Sequence, residues 1–368
     1  MASRIVLFGA TGYTGDLTAR ALLARGHRPV LAGRSEPKLR ALAEELGGLD
    51  HAVADVDRPE SVRDLVERDD VLVTTVGPFA KWGGPALRAA VEKGAHYLDS
   101  TGEPPFIREV FETWGPRAKE SGVGLLTAMG YDYVPGNLAG ALALRDAGPK
   151  ATSVDVGYFA LGPLSLGGVS GGTRASLTGV LFEDGYRRHD GLLVHERAGL
   201  RYRRFPVHGR QRPGLSLGGS EHYTLPLVHP GLRDVGVYLG WFGPATPATS
   251  LMSRTGGRLA ALPPVKKAVG KGLERVFKGS TGGPDEVTRA KFTTVAVAEA
   301  QDAGGNVLTR AVVEGVNPYD FTGRMLAWAA DRIVAGGLQG TGAMGPADAF
   351  TLDVLADGAR EIGLQRVQ

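Results

Sequence analysis

Three glycines, Gly9, Gly12 and Gly15, stand between the apolar run Ile5-Val6-Leu7-Phe8 and a helix-forming stretch that reaches Arg25. This G-x-x-G-x-x-G spacing suits phosphate chemistry. The first glycine permits a tight turn, the second lets backbone approach phosphate oxygens, and the third lets helix pack close to strand. Thr11, Tyr13 and Thr14 fill the gaps and join the expected cofactor contacts. After the next apolar run, Pro29-Val30-Leu31-Ala32, Gly33 fills the slot where NAD-preferring sites place an acid, and Arg34 follows, 19 residues beyond Gly15. A guanidinium there suits a ribose 2′-phosphate. Ser35 and Lys38 are placed to add contacts, although Ser35 equally suits a helix cap and Lys38 a solvated face. Asp55 is counted with the same set. The expected ligand is NADP(H); the bland alternative is a glycine-rich turn that binds nothing.

Such a loop needs a sheet to hold it, and the first third of the chain alternates strand and helix patterns. Residues 71–76 read as a buried strand ending at Gly77, Pro78 and Phe79. A helix from Pro85 to Lys93 should stop at Gly94, where a left-handed cap fits. A strand over 96–98 runs into Asp99-Ser100-Thr101-Gly102-Glu103, and another over 124–128 ends at Gly130-Tyr131-Asp132. This rhythm predicts an α/β fold, a Rossmann-type doubly wound parallel sheet, with ligands beyond the carboxyl ends of the strands. Five segments should therefore converge on one crevice. From residue 151 the pattern changes to strand-like runs over 153–160, 221–227, 235–241, 293–300 and 307–316. We expect residues 1–150 to form the cofactor domain and 151–316 an α+β substrate domain with a mixed or antiparallel sheet that covers the crevice. Residues 317–368 should be helices returning to the first domain.

Composition narrows the class. The chain has 368 residues, enough for more than one core, and 55 glycines spread along its length, which suggests many turns rather than disorder. Without cysteine there is no disulfide framework, thiolate nucleophile or zinc-thiolate site. Because the N-terminus enters a strand-like run directly, no signal peptide is expected. Two uncharged stretches, 156–173 and 236–253, are broken by Gly and Pro and do not read as membrane spans. A cytoplasmic protein is expected.

The net charge of +3 is uneven. Residues 186–212 carry eight arginines against Asp190 and Glu196, and read as a solvated surface. In 254–278, Val265, Val269, Leu273, Val276 and Phe277 recur at helical spacing among Lys266, Lys267, Lys271 and Lys278. A basic amphipathic helix of this kind suits an anionic membrane face or an acidic partner such as a carrier protein, through 256–278. Neither segment matches a nucleic-acid recognition motif.

Several chemistries fail on absent residues. No Tyr is followed four positions later by Lys, as one class of dehydrogenase requires, and neither H-E-x-x-H nor a phosphate-binding Walker loop occurs. G-x-S-x-G occurs at 168–172 and 214–218, but neither copy follows a clear strand and opens a helix as a nucleophile elbow must.

The glycine loop, Gly77-Pro78-Phe79, Tyr97-Leu98-Asp99-Ser100-Thr101-Gly102-Glu103, Gly130-Tyr131-Asp132 and Ser170-Gly171-Gly172-Thr173 together resemble the saccharopine dehydrogenase-like NADP-binding oxidoreductases. Within that group the chain is most similar to the trans-acting enoyl reductases of lipid polyketide biosynthesis. Residues 315–319 and 342–346 fit as well. The resemblance implies hydride transfer from NADPH, with Gly77, Pro78 and Phe79 beside the ribose and nicotinamide. The chain must then add orientation, exclusion of water and a proton source. Tyr131 and Asp132 are the first candidates for the acid, then Asp99 and Glu103. Each has a plainer reading, as a helix cap or crevice packing. Thr173 and Arg174 suit a substrate carbonyl or carboxylate, as Glu103 does a substrate contact. The uncharged stretches suggest an apolar channel, favouring a C=C bond of an acyl or polyketide-type substrate, free or carrier-bound. A saccharopine-type imine reductase and a non-catalytic NADP-binding sensor or scaffold stay open as alternatives.

Overall fold

The structure, a computed structural model, describes residues 3–161, 185–240, 243, 246–260 and 282–368. The chain divides into two units. The first comprises residues 1–102, 106–132 and 318–362; the second comprises 103–105, 133–317 and 363–368. Its boundaries near 132 and 317 compare with the 150 and 316 expected from sequence.

The first unit is built on a seven-stranded, wholly parallel sheet. Its strands are β1 (Ile5–Phe8), β2 (Val30–Gly33), β3 (His51–Val53), β4 (Val71–Thr74), β5 (His96–Asp99), β6 (Gly124–Leu126) and the short Gly342–Ala343. Their order is β3-β2-β1-β4-β5-β6 followed by Gly342–Ala343. All four residues of β1 and of β4 are buried, as expected when helices cover both faces of a parallel sheet. The order reverses between β1 and β4, so the loops leaving these two neighbours flank the switch point where such sheets bind ligands. On one face, Val6, Phe8, Leu72 and Tyr97 pack with Leu87, Ala90, Phe106 and Val110. Burying a Leu, Val or Phe of this kind contributes about 1.5–3 kcal/mol. Helix Gly84–Lys93 ends at Gly94 with φ +76, the left-handed cap the sequence implied.

The returning segment completes this unit. Helix Pro318–Val334 buries Phe321, Met325, Leu326, Trp328 and Ile333. It lies close against α1 (Tyr13–Ala24): a Cβ on Gly323 would stand 3.0 Å from Leu17 Cβ. The tail forms helices Pro346–Phe350 and Leu352–Glu361, and Phe350 meets Trp328 edge-on with ring centroids 4.9 Å apart.

The second unit carries a mixed sheet. Its strands are β7 (Ser153–Leu161), β8 (Tyr186–His189), β9 (Leu192–His195), β10 (Tyr202–Val207), β11 (Arg210–Ser216), β12 (Asp234–Leu239), β13 (Thr293–Gln301), β14 (Val307–Gly315) and the terminal Leu364–Arg366. The main path runs β10-β11-β12-β7-β13-β14 to Leu364–Arg366, with β8 and β9 branching from β12. β12 and β7 are parallel; the other pairs are antiparallel. Helix Val134–Ala147, buried from Val134 to Leu144, packs in this unit, and Thr309 Oγ1 donates to its Ala143 carbonyl at 2.7 Å.

Two expectations are corrected here. Residues 221–227 are not a strand but lie in the helix Glu221–Val228. Their β-prone side chains give way to tertiary packing, with Leu225 set so closely on Gly140 that a Cβ there would meet its Cδ1 at 2.7 Å. The arginine-rich stretch 186–212 is also more than a solvated surface, because it forms β8 to β11. Arg201 pairs with Glu196 at 2.8 Å, and Arg203 bridges Asp155 and Glu299, the latter at 2.7 Å. Arg310 joins Glu299 from its other oxygen at 2.7 Å, and the Glu299 side chain is only 6% exposed. Buried carboxylates need such partners.

Candidate nucleotide and proton-transfer site

β1 delivers the chain into the glycine loop. Gly9 has φ +92, a left-handed conformation, and a Cβ there would meet Thr75 Oγ1 at 2.7 Å. Gly9 and Ala10 donate to the Ala32 carbonyl at 2.8 and 3.1 Å, which fixes the loop to the end of β2. Thr75, just past β4, donates its hydroxyl to the Gly9 carbonyl at 3.2 Å. Gly15 is the tightest of the three, since its Cβ would lie 2.2 Å from the Gly9 carbonyl oxygen. Gly12 is the N-cap of α1 and has no side chain with which to cap it. The first N–H groups of α1 therefore face outward from an exposed turn, a ready cradle for an anion. Asp16, the acid of that first turn, is held by Arg20 at 3.1 Å.

Beyond β2, Arg34 is exposed and has no carboxylate within ion-pair distance among the described residues. Ser35 occupies the N-cap of α2 (Glu36–Glu45), but its side chain makes no capping bond. Lys38 is exposed one turn further on. The acid of that turn, Glu36, is taken by Arg40 at 2.8 Å. The end of β2 thus carries two exposed cations, Arg34 and Lys38, without an ion pair among the described residues. Asp55, past β3, accepts from the Asp57 amide at 3.1 Å and shapes its own turn. Gly77 is exposed beyond β4, and Phe79 is buried against Phe106.

Three segments meet at the ends of β5 and β6. Asp99 is fully buried, and its Oδ1 accepts from the amides of Thr101 and Ala128, both at 2.8 Å. Its Oδ2 accepts from the Thr127 hydroxyl at 2.8 Å. Burial lifts this carboxyl to about 6 even though those donors favour its charged form. Asp99 thus ties the two strand ends together. The adjoining Tyr131 is buried, its amide donates to Thr322 Oγ1 at 3.1 Å, and its ring meets Phe321 edge-on. Thr322 donates in turn to the Pro318 carbonyl at 2.7 Å. Solvent reaches Asp132, yet protein crowds it enough that desolvation lifts its carboxyl to about 6. It lies against Gly102, where a Cβ would come within 2.8 Å of Oδ2.

A glycine cradle at the switch point and exposed cations at the end of β2 suit a dinucleotide, and the sequence profile of one family agrees. The saccharopine dehydrogenase NADP binding domain matches residues 5–126. This stretch is similar to a saccharopine dehydrogenase NADP-binding domain. NADP(H) is the cofactor of such a domain, and the residues present fit it: the turn at Gly12 is exposed, and Arg34, exposed just past β2, has a guanidinium of the kind that suits a 2′-phosphate.

Relatives extend the similarity. The chain is 38% identical over 140 residues to the trans-acting enoyl reductase of Mycobacterium ulcerans, a match covering 36% of this chain and 34% of that one. It is 37% identical over 184 residues to a Mycobacterium tuberculosis protein provisionally named for the same activity, covering 48% and 44% of the two chains. The matched region thus spans less than half the length of either relative. Among solved structures, saccharopine dehydrogenase (L-Glu forming) from Saccharomyces cerevisiae shares the fold, with a TM-score of 0.61 at 12% identity over 99% of both chains.

Within and around the NADP-binding domain, the site residues anticipated from sequence fall into three groups. The glycine loop, Arg34, Ser35, Lys38, Gly77, Pro78 and Phe79 all stand at carboxyl ends of strands in one sheet, as do Asp99, Tyr131 and Asp132. Glu103 is buried and belongs to the second unit. Thr173, Arg174 and residues 261–278 of the basic stretch lie outside the described residues, as does the 168–172 motif. The other G-x-S-x-G, at 214–218, begins inside β11 and forms no elbow. No helix among the described residues is long and apolar enough to cross a membrane. Sequence reasoning missed Thr75, Tyr319 and Thr322. Thr322 lies 191 positions from the amide it receives, and its one signal was the helical pattern resuming near Tyr319.

Proposed function

We propose that the chain is an NADPH-dependent reductase acting on the C=C bond of an acyl or polyketide-type substrate, free or presented by a carrier protein. When bound, NADPH supplies the hydride. The glycine loop and Arg34 hold and orient the dinucleotide, and Gly77, Pro78 and Phe79 line its reactive half. Asp132 supplies the proton to the carbon that hydride leaves electron-rich, and Tyr131 and Asp99 keep it in place. The observation that carries this reading is the pairing of an NADP-binding domain with a solvent-reached carboxyl whose pKa of about 6 keeps part of it protonated near neutral pH.

The enoyl preference draws on the names of the mycobacterial relatives and on charge. A dicarboxylic imine would call for inward arginines without partners, whereas Arg201, Arg203 and Arg310 are each paired with a carboxylate. Calorimetry with NADPH and NADH tests the cofactor half. Arg34→Ala should weaken NADPH about tenfold to a hundredfold, the worth of a charged hydrogen bond, and leave NADH nearly unchanged. Equal loss for both dinucleotides, or none, would refute the assignment of Arg34. Consumption of NADPH with 2-enoyl thioesters, set against cyclic and acyclic imines, tests the substrate half.

A further inference from the structure

We infer that Tyr319, at the start of the returning helix, is a cofactor-positioning residue that acts through Tyr13. The inference rests on the cofactor reading above and adds a residue to it.

Tyr13 is the first residue of α1, so its backbone N–H is one of the donors facing the expected phosphates. Its ring is not left to solvent. It meets the ring of Tyr319 edge-on, with centroids 5.3 Å apart and planes at 81°. Both rings are half-buried. The helix bearing Tyr319 is held at two further points of the same unit. Thr322, three positions on and on the same side of the helix, takes the Tyr131 amide at 3.1 Å. Gly323 lets the backbone come so close to α1 that a Cβ would lie 3.2 Å from the Thr18 nitrogen. Tyr319 is therefore a fixed surface against which Tyr13 is set, not a side chain that follows it.

Without that surface, Tyr13 could turn about its side-chain torsion toward the exposed turn at Gly12. Its backbone would follow more loosely, because Gly12 on one side offers no side chain to anchor it. Ordering the donors before ligand arrives improves affinity by reducing what must be immobilised on binding. An edge-on aromatic pair of ordinary strength corresponds to about threefold to tenfold in affinity. Because the pair acts on the phosphate cradle common to both dinucleotides, the effect should not discriminate between them.

The test is calorimetric affinity of the full chain for NADPH and NADH, well below the melting temperature. Tyr319→Ala should weaken both by the same threefold to tenfold, and Tyr319→Phe, which keeps the ring, should bind like wild type. Placed in a Tyr13→Ala background, Tyr319→Ala should add no further loss. If Tyr319→Ala does not fold, Tyr319→Leu keeps the apolar volume without the ring edge and carries the same expectation. Affinity within twofold of wild type, or an undiminished loss in the Tyr13→Ala background, would overturn the inference while leaving the cofactor reading intact. Wild-type protein that bound neither dinucleotide would sink the cofactor reading itself.

Discussion

Asp99 and Asp132 have carboxyls raised to about the same value, near 6, for different reasons. Asp99 has both oxygens engaged by protein donors and no contact with solvent, so its proton has nowhere useful to go. Removing it leaves two amides and a hydroxyl unpaired in the interior. Asp99→Ala should cost about 3 kcal/mol or more in urea unfolding, and Asp99→Asn, which keeps an acceptor for the amides, far less. Asp132 is reached by solvent and can exchange its proton. As an acid it works when protonated, so reduction should slow as pH rises through about 6. Asp132→Asn should abolish that limb and lower turnover about a hundredfold, while NADPH affinity holds. Both groups bind protons more tightly folded than unfolded, so each lowers stability as pH climbs from about 4 to 6 and then levels off. Unfolding midpoints of the two Asn variants should depend less on pH across that window. Much of this site was legible because its signals are local: glycine spacing, Arg34 after an apolar run, an acid after a strand. The partners of Arg203 were not, since Asp155 and Glu299 lie on strands far off in sequence that only the sheet brings near.

At the scale of elements, the strand-to-helix turn of β1 and α1 is the most constrained. Gly15 has backbone on every close side, the Gly9 oxygen at 2.2 Å and Ala10 Cα at 2.9 Å from a built Cβ. Backbone cannot step aside as a flexible side chain can. Gly15→Ala should therefore distort the turn and weaken both dinucleotides at least about tenfold in calorimetry, with helix content by circular dichroism little changed. The parallel sheet was readable because its central strands β1 and β4 are short, buried, mostly apolar runs separated by helix-period stretches, whereas the short, half-exposed β3 gave no such signal. Helix Glu221–Val228 was not, because its β-prone residues lose to burial against Val134–Ala147. The β8 to β11 hairpins escaped notice for a related reason. Their charges resemble a solvated face until the sheet brings Arg203 to acids on other strands, Asp155 and Glu299.

At the scale of the whole molecule, the cofactor unit is assembled from separated stretches of chain. A piece ending at residue 132 would lack helix Pro318–Val334, leaving apolar surface on α1 bare and the Tyr131 amide without Thr322. Such a fragment should be insoluble. Joining residues 1–132 to 318–362 through a short flexible linker should restore a soluble NADPH binder, which size-exclusion chromatography and calorimetry can check. The same interruption sets an order of events on the ribosome. After residue 132 emerges, roughly 185 residues of the other unit must be made before the bracing helix appears. At ordinary elongation rates the nascent chain waits on the order of ten to forty seconds with its nucleotide cradle unbraced. Nucleotide capture is thus a late step in the synthesis of this unit, reserved for chains translated past the helix Pro318–Val334.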